Sequence, residues 1–280
     1  MKIGFIGQGW IGRNYANDFE ARGYEVIRYA LEAEYVGNKK KIAECTIVFI
    51  AVPTPTTEKG FDDSYVRSAL TVVAPGTSVV IKSTLLPGTT EKLQEVFSKL
   101  FVFHSPEFLV EKTAAYDAAN PNRNIVGIPQ ETDEHKKRAE QILSVLPTAP
   151  YVKIMPARDA EFVKYAGNCF LFTKVVFMNL LYDLIEKAGA DWDMVRDAFV
   201  HDPRIGISHT QPVIAGGRGA GGDCFIKDFE AFRRMYTEFV GDEKGSAILE
   251  MEAHKNIQLL RDSKKNIDLL EGVYGDLTKY

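Results

Sequence analysis

The opening residues, MKIGFIGQGWIG, constrain the fold more than any other stretch of this chain. A short apolar run, KIGFI, leads into Gly7-Gln8-Gly9-Trp10-Ile11-Gly12 and then into a segment with helical apolar spacing. A glycine triplet of this spacing carries little weight alone. Between a strand and a helix it specifies a dinucleotide-binding turn. Gly7 permits the tight turn, Gly9 lets the backbone approach a pyrophosphate, and Gly12 lets the helix pack closely on the strand. Free N–H groups at the start of the helix then face the phosphates. Gly7, Gly9, Trp10, Ile11 and Gly12 are therefore the expected cofactor contacts. The acid that commonly binds the adenosine ribose, about 20 residues on, has no counterpart where EVIRYA ends at Tyr29-Ala30. Glu32 or Glu34 can reach in, or Arg28 can favour a 2′-phosphate. The reading leans to NAD and leaves NADP open.

Short apolar runs then alternate with amphipathic segments: KIGFIG, EVIRYA, TIVFIAV, SVVIK, FVFH, NIVGI and YVKIM. That alternation predicts an α/β domain, a doubly wound parallel sheet of Rossmann-like type over residues 1–155. After Pro156 the pattern turns helical, and residues 156–280 are expected to form an all-helical domain. Ligands in such sheets sit at the carboxyl ends of the strands. The loops AVPTPTT, with Val52, Pro53 and Thr54, and KSTLLPGTT, with Thr84, fall there. Their prolines stiffen the backbone, and their hydroxyls offer hydrogen bonds.

A net charge of −4 gives no electrostatic reason to expect nucleic acid or an anionic membrane as partner. The basic patch Lys39–Lys41 is short enough to be a solvated loop. Three dispersed cysteines, Cys45, Cys169 and Cys224, argue against a disulfide framework and for a reducing compartment. No Cys/His spacing suggests a metal site. MKIGFIG runs straight into a strand, so no signal peptide is expected, and the location predicted is cytoplasmic. The apolar stretch CFLFTKVVFMNLLYDLI is interrupted by Lys174 and Asn179, which favours a buried helix over a membrane span.

Within the second half, GAGGDCFIKD sets Cys224 between a glycine run and a helix expected from Phe225, with Phe225, Phe229, Phe232 and Tyr236 on one face. A thiol at a helix start is drawn toward the thiolate by the macrodipole, and Lys227 adds positive charge. The competing reading is a small buried apolar residue. Lys164 and Asn168 stand four apart in AEFVKYAGN and so share a helix face. An ammonium beside an amide suits a developing oxyanion, although a solvated lysine gives the same spacing.

In sequence order, GFIGQGWIG, FIAVPTPT, KSTLLPGTT, SPEFLVEKTAAYDAANPNRNIVG, AEFVKYAGNCFLFTKVVFMN, DPRIG and GAGGDCFIKD resemble the UDP-glucose/GDP-mannose dehydrogenase family, from residue 3 to about residue 232. Members oxidise the C6 alcohol of a nucleotide sugar to a carboxylate with two NAD+. The resemblance implies that Cys224 captures the aldehyde as a thiohemiacetal, which is oxidised to a thioester and hydrolysed. Lys164 and Asn168 would stabilise the oxyanion. Glu107 and Thr84 would order water and act in acid/base steps, with Asp228 near the thiol. Glu111 matches a cofactor contact. Phe108, Leu109 and Gly221 fall among the substrate contacts, and Arg204 matches an arginine that reaches a neighbouring subunit's substrate. A homodimer through the helix beginning at Ala157 is expected.

The chain departs from the family pattern at several places. Asp223 stands where serine is common, Lys112 where glycine is usual, and ISHTQPVIAGGRG lacks the usual phenylalanine-leucine pattern. Family members usually add a third domain, of about 100–150 residues as is typical of domains, which these 280 residues do not contain. Two other classes fit the residues: a single-step NAD(P)-dependent hydroxyacid dehydrogenase, which needs no Cys224, and a non-catalytic nucleotide-binding relative.

Overall fold

The computed structural model describes residues 1–280. It divides into two compact units, Met1–Thr54 with Asp62–Lys164, and Pro55–Phe61 with Tyr165–Tyr280. The elements begin β1 (Lys2–Ile6), α1 (Trp10–Ala21), β2 (Glu25–Tyr29), β3 (Ile47–Ile50), β4 (Thr56–Thr57) and β5 (Gly60–Phe61). They continue with α2 (Ser64–Leu70), β6 (Ser78–Ile81), α3 (Thr89–Val96), β7 (Phe101–His104), α4 (Ala114–Ala119), β8 (Arg123–Ile128), α5 (Asp133–Val145) and β9 (Tyr151–Pro156).

The first unit is built on a seven-stranded sheet in the order β2-β1-β3-β6-β7-β8-β9. The runs IVFI and SVVI are buried at every position, as strands covered on both faces must be. Phe5 and Phe49 stack with centroids 5.0 Å apart, and Phe19 of α1 meets Phe5 edge-on at 5.2 Å. Thr132 caps α5 by accepting the His135 N–H, with Asp133 and Glu134 in the first turn where the helix dipole favours acids.

The sheet is mixed, where the sequence pattern predicts a wholly parallel one. β8 runs antiparallel to β7, and β9 is parallel to β8. A parallel crossover needs a connection that returns along the length of the sheet. Helix α4 has six residues, about 9 Å at 1.5 Å per residue, and packs on α1 instead. Residues 105–122 therefore stay at the carboxyl edge, which is where the candidate residues Glu107, Phe108, Leu109 and Glu111 lie.

Chain order then gives α6 (Ala157–Lys187), α7 (Trp192–Val200), β10 (Val213–Ile214), β11 (Gly217–Arg218), α8 (Gly222–Phe239), α9 (Glu243–Asp262) and α10 (Ile267–Tyr274). The first turns of α6 group with the sheet. A Cβ on Gly127 of β8 would lie 2.8 Å from both the Ala157 Cα and the Ala160 Cβ, so this helix start requires glycine beneath it. The boundary between compact units thus falls inside α6, after Lys164, rather than at Pro156.

The second unit is helical apart from two short ribbons. Phe172 of α6 stacks on Phe229 of α8 at 3.8 Å, and Ile226, Ile257, Leu260, Leu270 and Val273 join α8, α9 and α10 in one cluster. Asp191 and Asp242 cap α7 and α9 through their carboxylates. β10 and β11 are joined through Ala215 and Gly216, both at positive φ, as a tight hairpin turn requires. The other ribbon, β4–β5, takes the end of AVPTPTT into this unit, where Arg234 donates to the Thr57 carbonyl at 2.7 Å.

Candidate active site

Each unit carries one part of the candidate chemistry. In the first, Gly7 has φ +90, and a Cβ there would stand 2.2 Å from the Ala51 carbonyl oxygen. A Cβ on Gly12 would stand 2.0 Å from the Gly7 carbonyl oxygen. Both glycines are thus needed for packing alone. At Gly9 a Cβ meets nothing within 4 Å, so the turn opens onto free space there. No side chain caps α1, and its first turn holds no acid. These amides and the open face at Gly9 fit a pyrophosphate.

Trp10 and Ile11 are half-buried at the same helix start. Ser83 joins the two neighbouring loops by accepting the Val52 N–H at 3.0 Å and donating to the Val52 carbonyl at 2.7 Å. Thr54 and Thr84 are buried and Pro53 is exposed. The guanidinium of Arg28 is held by Glu20 at 3.0 and 2.7 Å, and by Asn17 at 2.7 Å. A 2′-phosphate would have to displace Glu20, which favours NAD. Glu32 and Glu34 are exposed.

At the carboxyl edge Glu107 is 2% exposed. Its Oε1 receives the Lys164 ammonium at 2.6 Å, the same ammonium donates to the Glu107 carbonyl at 2.9 Å, and Oε2 accepts the Leu109 N–H at 2.9 Å. Phe108 lies under the Arg123 guanidinium at 3.7 Å. Lys82, which sequence reasoning passed over, is buried beside them. Its ammonium donates to Ser105 Oγ at 3.0 Å and stands 4.6 Å from the centroid of the Tyr15 ring. Burial pushes its pKa down to about 7, against the pull of Glu107. Burial likewise holds the His104 imidazole neutral, with its pKa near 3. Glu111 and Lys112 are exposed in the turn Glu111–Thr113.

In the second unit Cys224 is half-buried within the first turn of α8, which begins at Gly222, three residues before the expected Phe225. Asp223 is exposed, so its carboxylate faces solvent. Asp228, one turn on, is fully buried. It accepts the Asn168 Nδ2–H at 2.7 Å and pairs with Lys227 at 2.5 Å. Lys164 and Asn168 therefore have different partners, one carboxylate in each unit. The other two thiols are buried, which pushes Cys45 up to about 11 and Cys169 higher still, with Asp228 adding to the effect at Cys169. Arg204 is exposed and clasps Asp202 at 2.6 Å. Gly221 precedes α8, and its missing Cβ would be 2.2 Å from Asn266 Oδ1.

The mixed Rossmann-like sheet and its glycine turn define a nucleotide-dependent dehydrogenase fold. Residues 28–146 match the NAD-binding domain of the UDP-glucose/GDP-mannose dehydrogenase family, and residues 158–251 match its central domain. The chain belongs to this family. Over 208 residues it is 36% identical to a UDP-glucose 6-dehydrogenase of Pseudomonas aeruginosa, a match covering 69% of this chain and 45% of that relative. The chain thus spans less than half the length of that relative. Among solved structures, a UDP-glucose dehydrogenase from Pyrobaculum islandicum superposes with a TM-score of 0.77 at 29% identity, covering 93% of this chain and 70% of that one. A 3-hydroxyisobutyrate dehydrogenase of Mycobacterium tuberculosis shares the fold at a TM-score of 0.72 and 17% identity, covering 98% of both chains.

Replacing Gly9 with alanine tests the cofactor face. The Cβ enters open space, so the midpoint of urea unfolding stays unchanged while NAD+ affinity falls at least tenfold by calorimetry. Unchanged affinity would remove the pyrophosphate from this turn.

Proposed function

We propose that this protein is an NAD-dependent nucleotide-sugar 6-dehydrogenase, with UDP-glucose, converted to UDP-glucuronate, as the default substrate. The observation that carries the reading is the placement of the thiols. Cys224 alone is partly exposed, inside a helix's first turn and one turn before the Asn168–Asp228 pair.

NAD+ supplies the hydride acceptor, once for each of two oxidations. In the first, the C6 alcohol loses its proton and a hydride and becomes the aldehyde. The Cys224 thiolate adds to that carbonyl carbon, forming a C–S bond. The resulting thiohemiacetal loses a second hydride and a proton to give the thioester. Water then cleaves the C–S bond, releasing the carboxylate and returning the thiol. The Lys164 ammonium and the Asn168 amide stabilise the oxyanions formed at the carbonyl. Glu107, Thr84 and Asp228 orient the attacking water and move its proton. Phe108, Leu109 and Gly221 border the sugar. On the cofactor side Val52, Pro53, Thr54 and Glu111 complete the contacts begun by the glycine turn.

The active form in this reading is a cytoplasmic homodimer. Helix α6 is long and apolar enough to cross a membrane by length and composition. Its Phe172, Val175 and Val176 are instead buried in the protein, while Phe170, Phe177 and Leu184 are 67%, 53% and 66% exposed at seven-residue spacing. That spacing lines one helix face for a second copy. Arg204, exposed and held by Asp202, would then reach the other subunit's substrate.

A second reading is a single-step hydroxyacid dehydrogenase, in which Cys224 has no role in catalysis; the 3-hydroxyisobutyrate dehydrogenase that shares the fold covers 98% of both chains. Two reduced cofactors per carboxylate formed from UDP-glucose, abolished in Cys224→Ala, is the result expected of the leading reading. One reduced cofactor per turnover, retained in that variant, favours the hydroxyacid reading, and NAD+ binding without turnover on any UDP- or GDP-sugar favours a non-catalytic relative. For the assembly, Phe170→Glu with Phe177→Glu should sediment as a monomer where the parent sediments as a dimer. A dimer retained would move the interface elsewhere.

A further inference from the structure

The glycine run before Cys224 is gripped by side chains from a distant part of the chain. Gly221 precedes α8 and has no side chain to cap it, so the first amides of the helix need partners from elsewhere. One is supplied by Asn266, whose Oδ1 accepts the Gly222 N–H at 3.1 Å. Asn256, on α9 and 2% exposed, holds both backbone groups of one residue: its Oδ1 accepts the Ala220 N–H at 2.7 Å, and its Nδ2 donates to the Ala220 carbonyl at 3.0 Å. Lys265 donates to the Gly219 carbonyl at 3.1 Å.

The glycines record the same approach. A Cβ on Gly219 would stand 3.0 Å from Asn256 Oδ1, and one on Gly221 only 2.2 Å from Asn266 Oδ1. Gly221 is glycine because Asn266 lies against it, whereas Gly219, at φ +86, needs glycine for its backbone as well. Gly222, at φ +84 with open space around it, is glycine for the turn itself. Asn266 sits at φ 53 and ψ 37, a left-handed conformation that asparagine tolerates better than most residues. It immediately precedes α10, whose Leu270 and Val273 pack on Ile226 of α8 and on Ile257 and Leu260 of α9. The three helices thus hold the clamp rigid.

We propose that Asn266 and Asn256, assisted by Lys265, are positioning residues that fix the start of α8 so that Cys224 stays in the helix's first turn. The proposal rests on the reading of Cys224 as the nucleophile. With Gly222 N–H held by Asn266, Cys224 keeps its place in the first turn of α8, where the helix terminus favours negative charge.

The test uses Asn266→Gly, which keeps the left-handed backbone and removes only the side-chain acceptor. Two quantities are measured on the full chain: the rate of Cys224 alkylation by iodoacetamide at pH 7.5, read by peptide mass spectrometry, and kcat and KM for NAD+ with UDP-glucose. Buried Cys45 and Cys169, with their raised pKa values, serve as slow internal references. The expected result is a roughly tenfold fall in both the alkylation rate and kcat, with KM for NAD+ unchanged. An alkylation rate unchanged or raised in a folded variant overturns the proposal. Should Asn266→Gly fail to fold, Lys265→Met removes a single contact from a half-exposed side chain and should slow alkylation about threefold, no change again contradicting the clamp. Slowed alkylation in a protein whose parent turns over no nucleotide sugar would keep the clamp and reject the dehydrogenase reading. Turnover with Cys224 alkylation indifferent to either variant would do the reverse.

Discussion

The first two turns of α6 hold the carboxyl edge of the sheet together, and the buried Glu107–Lys164 pair of the first unit depends on that anchorage. Glu161, fully buried, accepts the Gly88 N–H at 2.5 Å, the Thr90 N–H at 2.8 Å and the Thr90 hydroxyl at 2.6 Å. It thereby caps α3, which lacks a cap of its own. Burial pushes the Glu161 pKa up to about 7, while the three hydrogen bonds pull it down. Three residues later Lys164 closes the buried pair with Glu107. Removing one partner of such a pair leaves an uncompensated buried charge, at a cost of about 3–5 kcal/mol. The extra bonds, from the Lys164 ammonium to the Glu107 carbonyl and from the Leu109 amide to Glu107 Oε2, make this pair a well-satisfied one. One helix start therefore fixes the loop after β6, the loop after β7 and the ammonium itself.

The same physical device appears once in each unit. A helix N-terminus without its own side-chain cap offers amides to a negative group. At α1 the open face at Gly9 fits a pyrophosphate, while Gly7 and Gly12 are glycine because backbone crowds them. At α8 the proposed group is the Cys224 thiolate, and Gly221 is glycine because Asn266, at the start of α10, approaches the loop. The sequence motif looks alike in the two places, and the packing reasons differ. Asp223 beside Cys224 is exposed, so its carboxylate faces solvent rather than the loop.

What was legible in the sequence was local. The glycine turn, the seven strands and Cys224 at a helix start all follow from spacing within about ten residues, the range over which helix and strand periods act. The start of α8 was misplaced because Gly222-Asp223-Cys224 carries no apolar period, so only Phe225 onward looked helical. The antiparallel β8 depends on α4 being too short to return along the sheet, a three-dimensional constraint. Glu161, Lys82, Asn256 and Asn266 were missed because their partners lie 10 or more residues away, 71 to 73 for Glu161 and 36 to 44 for the asparagines. The β10–β11 ribbon uses Ala-Gly at its turn, which lacks the usual Asn-Gly signal.

Covalent capture at Cys224 is the central claim, and it is tested most directly by trapping. Glu107→Gln keeps an oxygen acceptor for Lys164, although it removes the paired charge and lowers stability, and in the proposed reading it weakens the hydrolysis of a thioester. Mixed with NAD+ and UDP-glucose and quenched in acid, this variant should carry the oxidised sugar nucleotide on the peptide containing Cys224, and the adduct should be absent when Cys224 is also alanine. Oxidation of the sugar with no adduct on Cys224, and one reduced cofactor per sugar consumed, would contradict the account.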